Sequence, residues 1–226
     1  MSRHIIIPPT ENLIQKVVAQ LPVGTNNFSR SIIVFPGKRP AHFVRKALAH
    51  RVGESFIPPR IFSIDSFIDE LFSTKLHLRQ PALEDLDAVA LLFDIHMNLP
   101  ERLGGDHFRT VDRFIGLGLK LFTELEELVM GDADDRRIRE SIADVPLGRV
   151  QALPEYFSRF YSIVNQKGLA TRALRYKQIA DAITTVDLSN CESVVLAGFY
   201  AFTSVEQRIF RNLAQRQKKK NKIKTR

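Results

Sequence analysis

Runs with the composition of buried strands lie near both ends of this chain and are missing from the long stretch between them, which limits the folds open to it. Ser31-Ile32-Ile33-Val34-Phe35 and Ser193-Val194-Val195-Leu196-Ala197 are apolar throughout after the leading serine and are closed by Pro36 and Gly198. Uninterrupted β-branched runs suit strands covered on both faces, as in a parallel sheet whose crossovers are helical. The simplest topology reunites both runs in one sheet and treats the intervening residues as an insertion.

The first 75 residues alternate strand-like and helix-like patterns, the habit of a parallel α/β sheet. His4 to Ile7 reads as a first buried strand stopped by Pro8 and Pro9, with Thr10 as cap of a helix whose Leu13, Val17 and Leu21 share a face with Ile14 and Val18 beside them. After the Ser31–Phe35 run, Pro40 suits the first turn of a helix that should bury Phe43, Val44, Ala47 and Leu48. Its other side carries Arg39, Arg45, Lys46 and Arg51, a basic face of the kind usually found solvated. Phe56-Ile57 and Arg60-Ile61-Phe62 form a third extended segment, and Ser63 can cap a helix containing Ile64, Phe67, Ile68 and Leu71.

Beyond residue 75 the spacing changes to that of amphipathic helices. Leu83 to Met97 forms one segment, and Val111, Phe114, Ile115, Leu119, Phe122, Leu125 and Val129 trace a long one. Further helices start near Pro154 and Thr171, with breaks at Gly104-Gly105, Gly131 to Asp135 and Gly168. The β signal returns at Ser193, and Thr203 with Glu206 then forms a capping box. The expected fold class is therefore α/β. A parallel sheet is carried by residues 1–75 and 190–217, a large all-helical insertion by 76–189, and a basic, disordered tail by 218–226.

Composition limits the classes of function. With 44% hydrophobic residues in 226, the chain can fill a sizeable core. No stretch approaches the roughly 18 apolar residues of a membrane span, so no membrane partner is expected and the cytoplasm is the expected location. Cys191 is the only cysteine, which rules out an intrachain disulfide and a thiolate zinc cluster. Of the net charge of +8, Lys218, Lys219, Lys220, Lys222, Lys224 and Arg226 supply six, leaving about +2 on the rest. A basic tail can bind nucleic acid, but terminal lysine runs are more often simply hydrated.

Tests for catalytic motifs fail at identifiable residues. A phosphate-binding loop needs glycine amides around the anion, a lysine, and a Ser or Thr hydroxyl. Gly37-Lys38-Arg39 lacks the upstream glycine, puts Arg39 in the hydroxyl's place and follows the second strand, while the first runs into prolines that have no N–H. ATP hydrolysis also needs a carboxylate at an apolar strand's end, where Gly198-Phe199 stand. Gly116-Leu117-Gly118 falls within a helical pattern and reads as packing or a kink. The six histidines never pair at i, i+4, and Gly131 to Asp135 would need glycine at Arg137 and glutamate at Ala143 to bind calcium. Neither a nuclease-like carboxylate set nor a Gly-x-Ser-x-Gly elbow is present. No catalytic residue, metal ligand or cofactor site is expected.

Several segments resemble, in order, the amino-terminal region of the AddB-type subunit of bacterial helicase-nucleases. They are Ile5-Ile6-Ile7-Pro8, Val34-Phe35-Pro36-Gly37-Lys38-Arg39-Pro40, Pro58-Pro59-Arg60-Ile61-Phe62-Ser63-Ile64-Asp65, and Val195 through Glu206, about a quarter of the chain. The resemblance implies an inactivated superfamily 1 helicase-like domain with a RecA-like (P-loop NTPase-like) core and a helical subdomain set into it. In full-length relatives a second helicase-like half and a PD-(D/E)XK exonuclease follow, and the complex processes double-strand breaks with an AddA-type partner subunit. The chain stops at Arg226, before any nuclease element, so a truncated product is expected.

The expected role is non-catalytic: DNA binding and scaffolding in break repair. Lys38, Arg39 and Arg60 are the candidate phosphate contacts, because ligands of open α/β sheets collect beyond strand ends, and Ser63 and Ser66 could assist from a helix start. Two alternatives stand beside it. One is a protein-interaction module that docks a helicase subunit without touching DNA, and the other is a degenerate nucleotide-binding ATPase.

Overall fold

The computed structural model describes residues 5–142 and 151–223. Its sheet is built on β1 (Ser31–Phe35), whose five residues are all buried. β1 pairs in parallel with β2 (Arg60–Ser63) on one side and with β3 (Ser193–Leu196) on the other, in the order β2-β1-β3. Ile33 sits level with Ile61 and Val195 across the three strands. A strand without charge, covered on both faces, can occupy only the middle of such a sheet. Its one polar side chain, Ser31, is satisfied by the Ser193 hydroxyl at 3.1 Å. The protein is thus α/β with a three-stranded parallel sheet and many helices.

Two helices cover one face. α1 (Leu13–Ala19) and α2 (Pro40–Val52) contribute Val17, Val18, Val44 and Leu48 to a core that also takes Leu21, Phe28, Ile33, Phe35 and Ala197, with Val195 packed against it. Because strand side chains alternate, Ile32 and Val34 point to the opposite face. α3 (Ile64–Glu70) follows β2 directly, starting at the Ser63 cap, and ends in a widened turn over Leu71–Lys75, closed by the Leu76 amide on the Leu71 carbonyl.

Four expectations for this region change. Ile5-Ile6-Ile7 is not a strand: both edges of β1 are already occupied, and Ile6 is 96% exposed. The cap of α1 is Asn12, not Thr10; its Oδ1 accepts from the amides of Ile14 at 2.9 Å and Gln15 at 3.2 Å. Phe43 is 57% exposed, because α2 turns Val44, Ala47 and Leu48 inward and leaves position 43 on the flank. Phe56-Ile57 also separates from β2. Ile57 makes an isolated bridge to Asn27, and Pro58-Pro59, without amide donors, interrupt the ladder.

The chain divides into two compact units, and α9 (Ser204–Ile223) contributes to both. The first comprises residues 1–77, 182–202 and 209–226; the second comprises 78–181 and 203–208. Lys218 to Lys222 continue α9 where a disordered tail was expected, and 224–226 lie outside the described residues.

The second unit holds α4 (Asp85–Asn98), α5 (Val111–Met130), α6 (Asp135–Ile142), α7 (Leu153–Gln166) and α8 (Arg172–Ala182). One parallel bridge, Ala82 to Ala170, interrupts its helical character. Of the expected α5 positions, Phe114, Phe122, Leu125 and Val129 are buried, together with Gly118 and Leu121, whereas Val111, Ile115 and Leu119 are partly exposed. Gly118 lies on the buried face of α5, against α4. A Cβ there would lie 2.8 Å from both Phe114 and Val89, so only glycine lets α5 approach α4 this closely.

His96 of α4 is fully buried in this unit. Its Nδ1 lies 2.6 Å from the Tyr156 hydroxyl, its ring packs 4.8 Å from that of Phe114, and its Nε2 has no hydrogen-bond partner among the described residues. Desolvation, reinforced by the nearby Arg102 charge, holds its pKa below the ordinary histidine value. The folded chain therefore keeps His96 neutral while the unfolded chain takes up a proton first, so acidification favours unfolding. Thermal melts should show stability falling from neutral to mildly acidic pH, and His96→Gln should flatten that dependence.

The cap assignment is tested separately. Asn12→Ala should lower unfolding stability by about 1 kcal/mol, whereas Thr10→Ala should leave the denaturation midpoint unchanged.

Candidate nucleic-acid interface

Since all three strands are parallel, their carboxyl ends lie along one rim of the sheet, and the turns after β1 and β3 meet there. β1 runs through Pro36-Gly37-Lys38-Arg39 into α2, and β3 runs through Ala197-Gly198-Phe199-Tyr200. Gly198 has φ of +76°, and a Cβ on it would approach Leu13 Cδ2 at 3.2 Å and Pro36 Cδ at 3.7 Å. Both the backbone turn and the tight contact require a residue without a side chain. Just beyond, Phe199 and Phe202 stack at 5.1 Å and pack on Phe210, which leaves Tyr200 fully exposed.

Lys38 and Arg39 are exposed, and neither forms an ion pair among the described residues. They begin a longer cationic surface. From Gly37 to Gly53 there is no Asp or Glu, while Lys38, Arg39, Arg45, Lys46 and Arg51 are cationic. Arg39, His42, Phe43 and Lys46 recur at three- and four-residue spacing along α2, with Lys38 and Arg45 adjoining, and all are exposed. With no carboxylate on the same element, these positive potentials add rather than cancel, which suits a polyanion.

Arg51 does not belong to that surface. Its guanidinium donates to the carbonyls of Val18 at 2.5 Å and Pro22 at 2.7 Å and lies 5.5 Å over the Phe28 ring, tying α2 to the carbonyl end of α1. Sequence reading placed it among the solvated cations because the register of α2 alone cannot show a carbonyl partner 33 residues away. The same reading set Arg45 and Lys46 aside as solvated surface, gave His42 no role and placed Phe43 in the core. The readable signal was the acid-free run itself.

The remaining expected contacts are dispersed. Arg60 is the first residue of β2 and lies level with Ile32, at the amino end of the strands, whereas Lys38 and Arg39 lie beyond their carboxyl ends. It is also engaged, pairing with Glu70 at 2.5 Å and lying 5.3 Å over the Phe62 ring. Ser63 is buried; its Oγ accepts from the Ser66 amide at 3.3 Å and lies 2.9 Å from the Ser66 hydroxyl. Its hydroxyl is occupied as a helix cap, while Ser66 remains half-exposed.

No protein-family model matches the chain, and no curated protein gives a significant match. Among the described residues, no three His, Cys, Asp or Glu side chains converge as a metal-binding group, and no helix is long and apolar enough to cross a membrane.

The cap role of Ser63 has a direct consequence. Ser63→Ala should cost about 1 kcal/mol in a denaturant melt.

Proposed function

We propose that this protein is a non-catalytic, helicase-like DNA-binding domain with a RecA-like core, acting with an AddA-type subunit in cytoplasmic double-strand-break repair. The observation that carries the DNA-binding part is the acid-free cationic face of α2, which begins with Lys38 and Arg39 at the carboxyl rim of the sheet. Phosphates placed along α2 would meet Lys38, Arg39, Arg45 and Lys46 in succession, and binding would be driven by release of counterions from the nucleic acid. Positioning of this kind reads the backbone and not the sequence. The parallel order β2-β1-β3, with residues between β2 and β3 forming a separate helical unit, supports the RecA-like part of the reading.

The same rim argues against ATP chemistry. Magnesium and the attacking water require a carboxylate where β3 ends, and Gly198-Phe199 offer none. Pro36, which opens the turn after β1, has no amide to give a phosphate.

Titrating a duplex oligonucleotide at several salt concentrations tests the reading. Lys38→Ala with Arg39→Ala should weaken binding and reduce the salt slope by about 0.9 for each phosphate contact removed. Unchanged affinity and unchanged slope would remove α2 from the interface. Absence of binding by the parent chain would overturn the DNA-binding role altogether.

A further inference from the structure

We propose that the solvent-facing side of α4 docks a basic amphipathic helix of a partner protein. α4 belongs to the second unit and the cationic face of α2 to the first, so docking here is independent of DNA binding.

α4 is a two-sided helix. Ala88, Val89, Leu92, Ile95 and His96 are buried within its unit. Beside them, Leu86, Ala90, Phe93 and Met97 recur at intervals of four, three and four residues, the spacing of the seam along which two helices pack. Leu86 is 68% exposed and Met97 36%, Ala90 is exposed, and Phe93 is half-buried with its ring 5.4 Å from that of Phe114. Single exposed apolar residues are ordinary. Four aligned on one side of a helix, over about 16 Å of its length, leave an apolar strip that a second helix would cover.

Charge identifies that helix. Between Asp85 and Asn98 there is no Lys or Arg, while Asp87 and Asp94, seven residues apart, hold equivalent positions beside the seam. Both are exposed, and neither forms an ion pair among the described residues. Asp85 and Asp87 have a local role, because carboxylates in the first turn meet the positive end of the helix dipole. Asp94 lies beyond that turn, and the helix terminus does not account for it. The exposed Val111, Ile115 and Leu119 of α5 give no such direction, since Asp112, Arg113, Lys120 and Glu124 around them carry both signs.

The carboxylates choose among occupants. Nucleic acid is repelled. A second copy docking through the same face would set Asp87 and Asp94 against their own counterparts along one seam, with no Lys or Arg on either helix to separate them. A helix with large apolar residues at heptad spacing and Lys or Arg beside them covers the strip and pairs the carboxylates at once.

Titrating the full chain with two synthetic helical peptides tests this. Both carry leucine at the seam positions of about three heptads; one has lysine at the flanking positions and the other glutamate. The lysine peptide should bind at physiological salt, and the glutamate peptide should bind about tenfold more weakly or not at all. Asp87→Lys with Asp94→Lys should invert that order, because the introduced cations repel the first peptide and attract the second. Leu86→Ser, at a position open to solvent, should weaken the lysine peptide about tenfold and leave the thermal midpoint unchanged. Failure of the lysine peptide to bind, binding that survives Leu86→Ser, or a preference that charge reversal does not invert would each overturn the proposal. So would sedimentation in which the parent chain pairs with itself and Leu86→Ser abolishes the pairing, by assigning the face to a second copy.

Discussion

Saturation of β1 on both edges is the constraint from which the first unit follows. A five-residue strand buried on both faces has backbone donors and acceptors on two sides, and each needs a partner because water cannot reach it. β2 and β3 supply them from opposite ends of the sequence, which forces the intervening residues to leave the sheet and return. The helical unit is therefore a topological consequence of β1 as much as a product of its own periodicity. The same saturation leaves no inner place for Ile5–Ile7, despite a composition as strand-like as that of β1.

What the sequence made legible was local. β1 and β3 stood out as uncharged runs with hard stops, Pro40 as a helix start, and Ser63 and the Thr203–Glu206 box as caps, because each depends on neighbours a few residues away. What escaped was tertiary. Thr10 and Asn12 are both competent caps two residues apart, and the chain path selects between them. On α5 the period located Phe114, Phe122, Leu125 and Val129 on the buried face but not Gly118, whose closeness to Val89 on α4 no spacing rule contains.

The cationic surface divides along the same line. Lys38 and Arg39 could be picked out because they follow an obvious strand, and they lie exposed on the rim as that position implies. Arg60 looked equivalent, yet it begins β2 rather than ending it and faces Glu70. Where a strand starts relative to a double proline is enough to move a charge from one side of a sheet to the other.

Arg51 shows how far formal charge is from available charge. Bound to the carbonyls of Val18 and Pro22, its guanidinium is held against the carbonyl end of α1 in place of reaching freely into solvent. The cations of this stretch that have no partner among the described residues, Lys38, Arg39, Arg45 and Lys46, accordingly lie toward the start of α2. An approaching polyanion would be drawn first to the amino-terminal end of the helix and oriented there before touching the remainder.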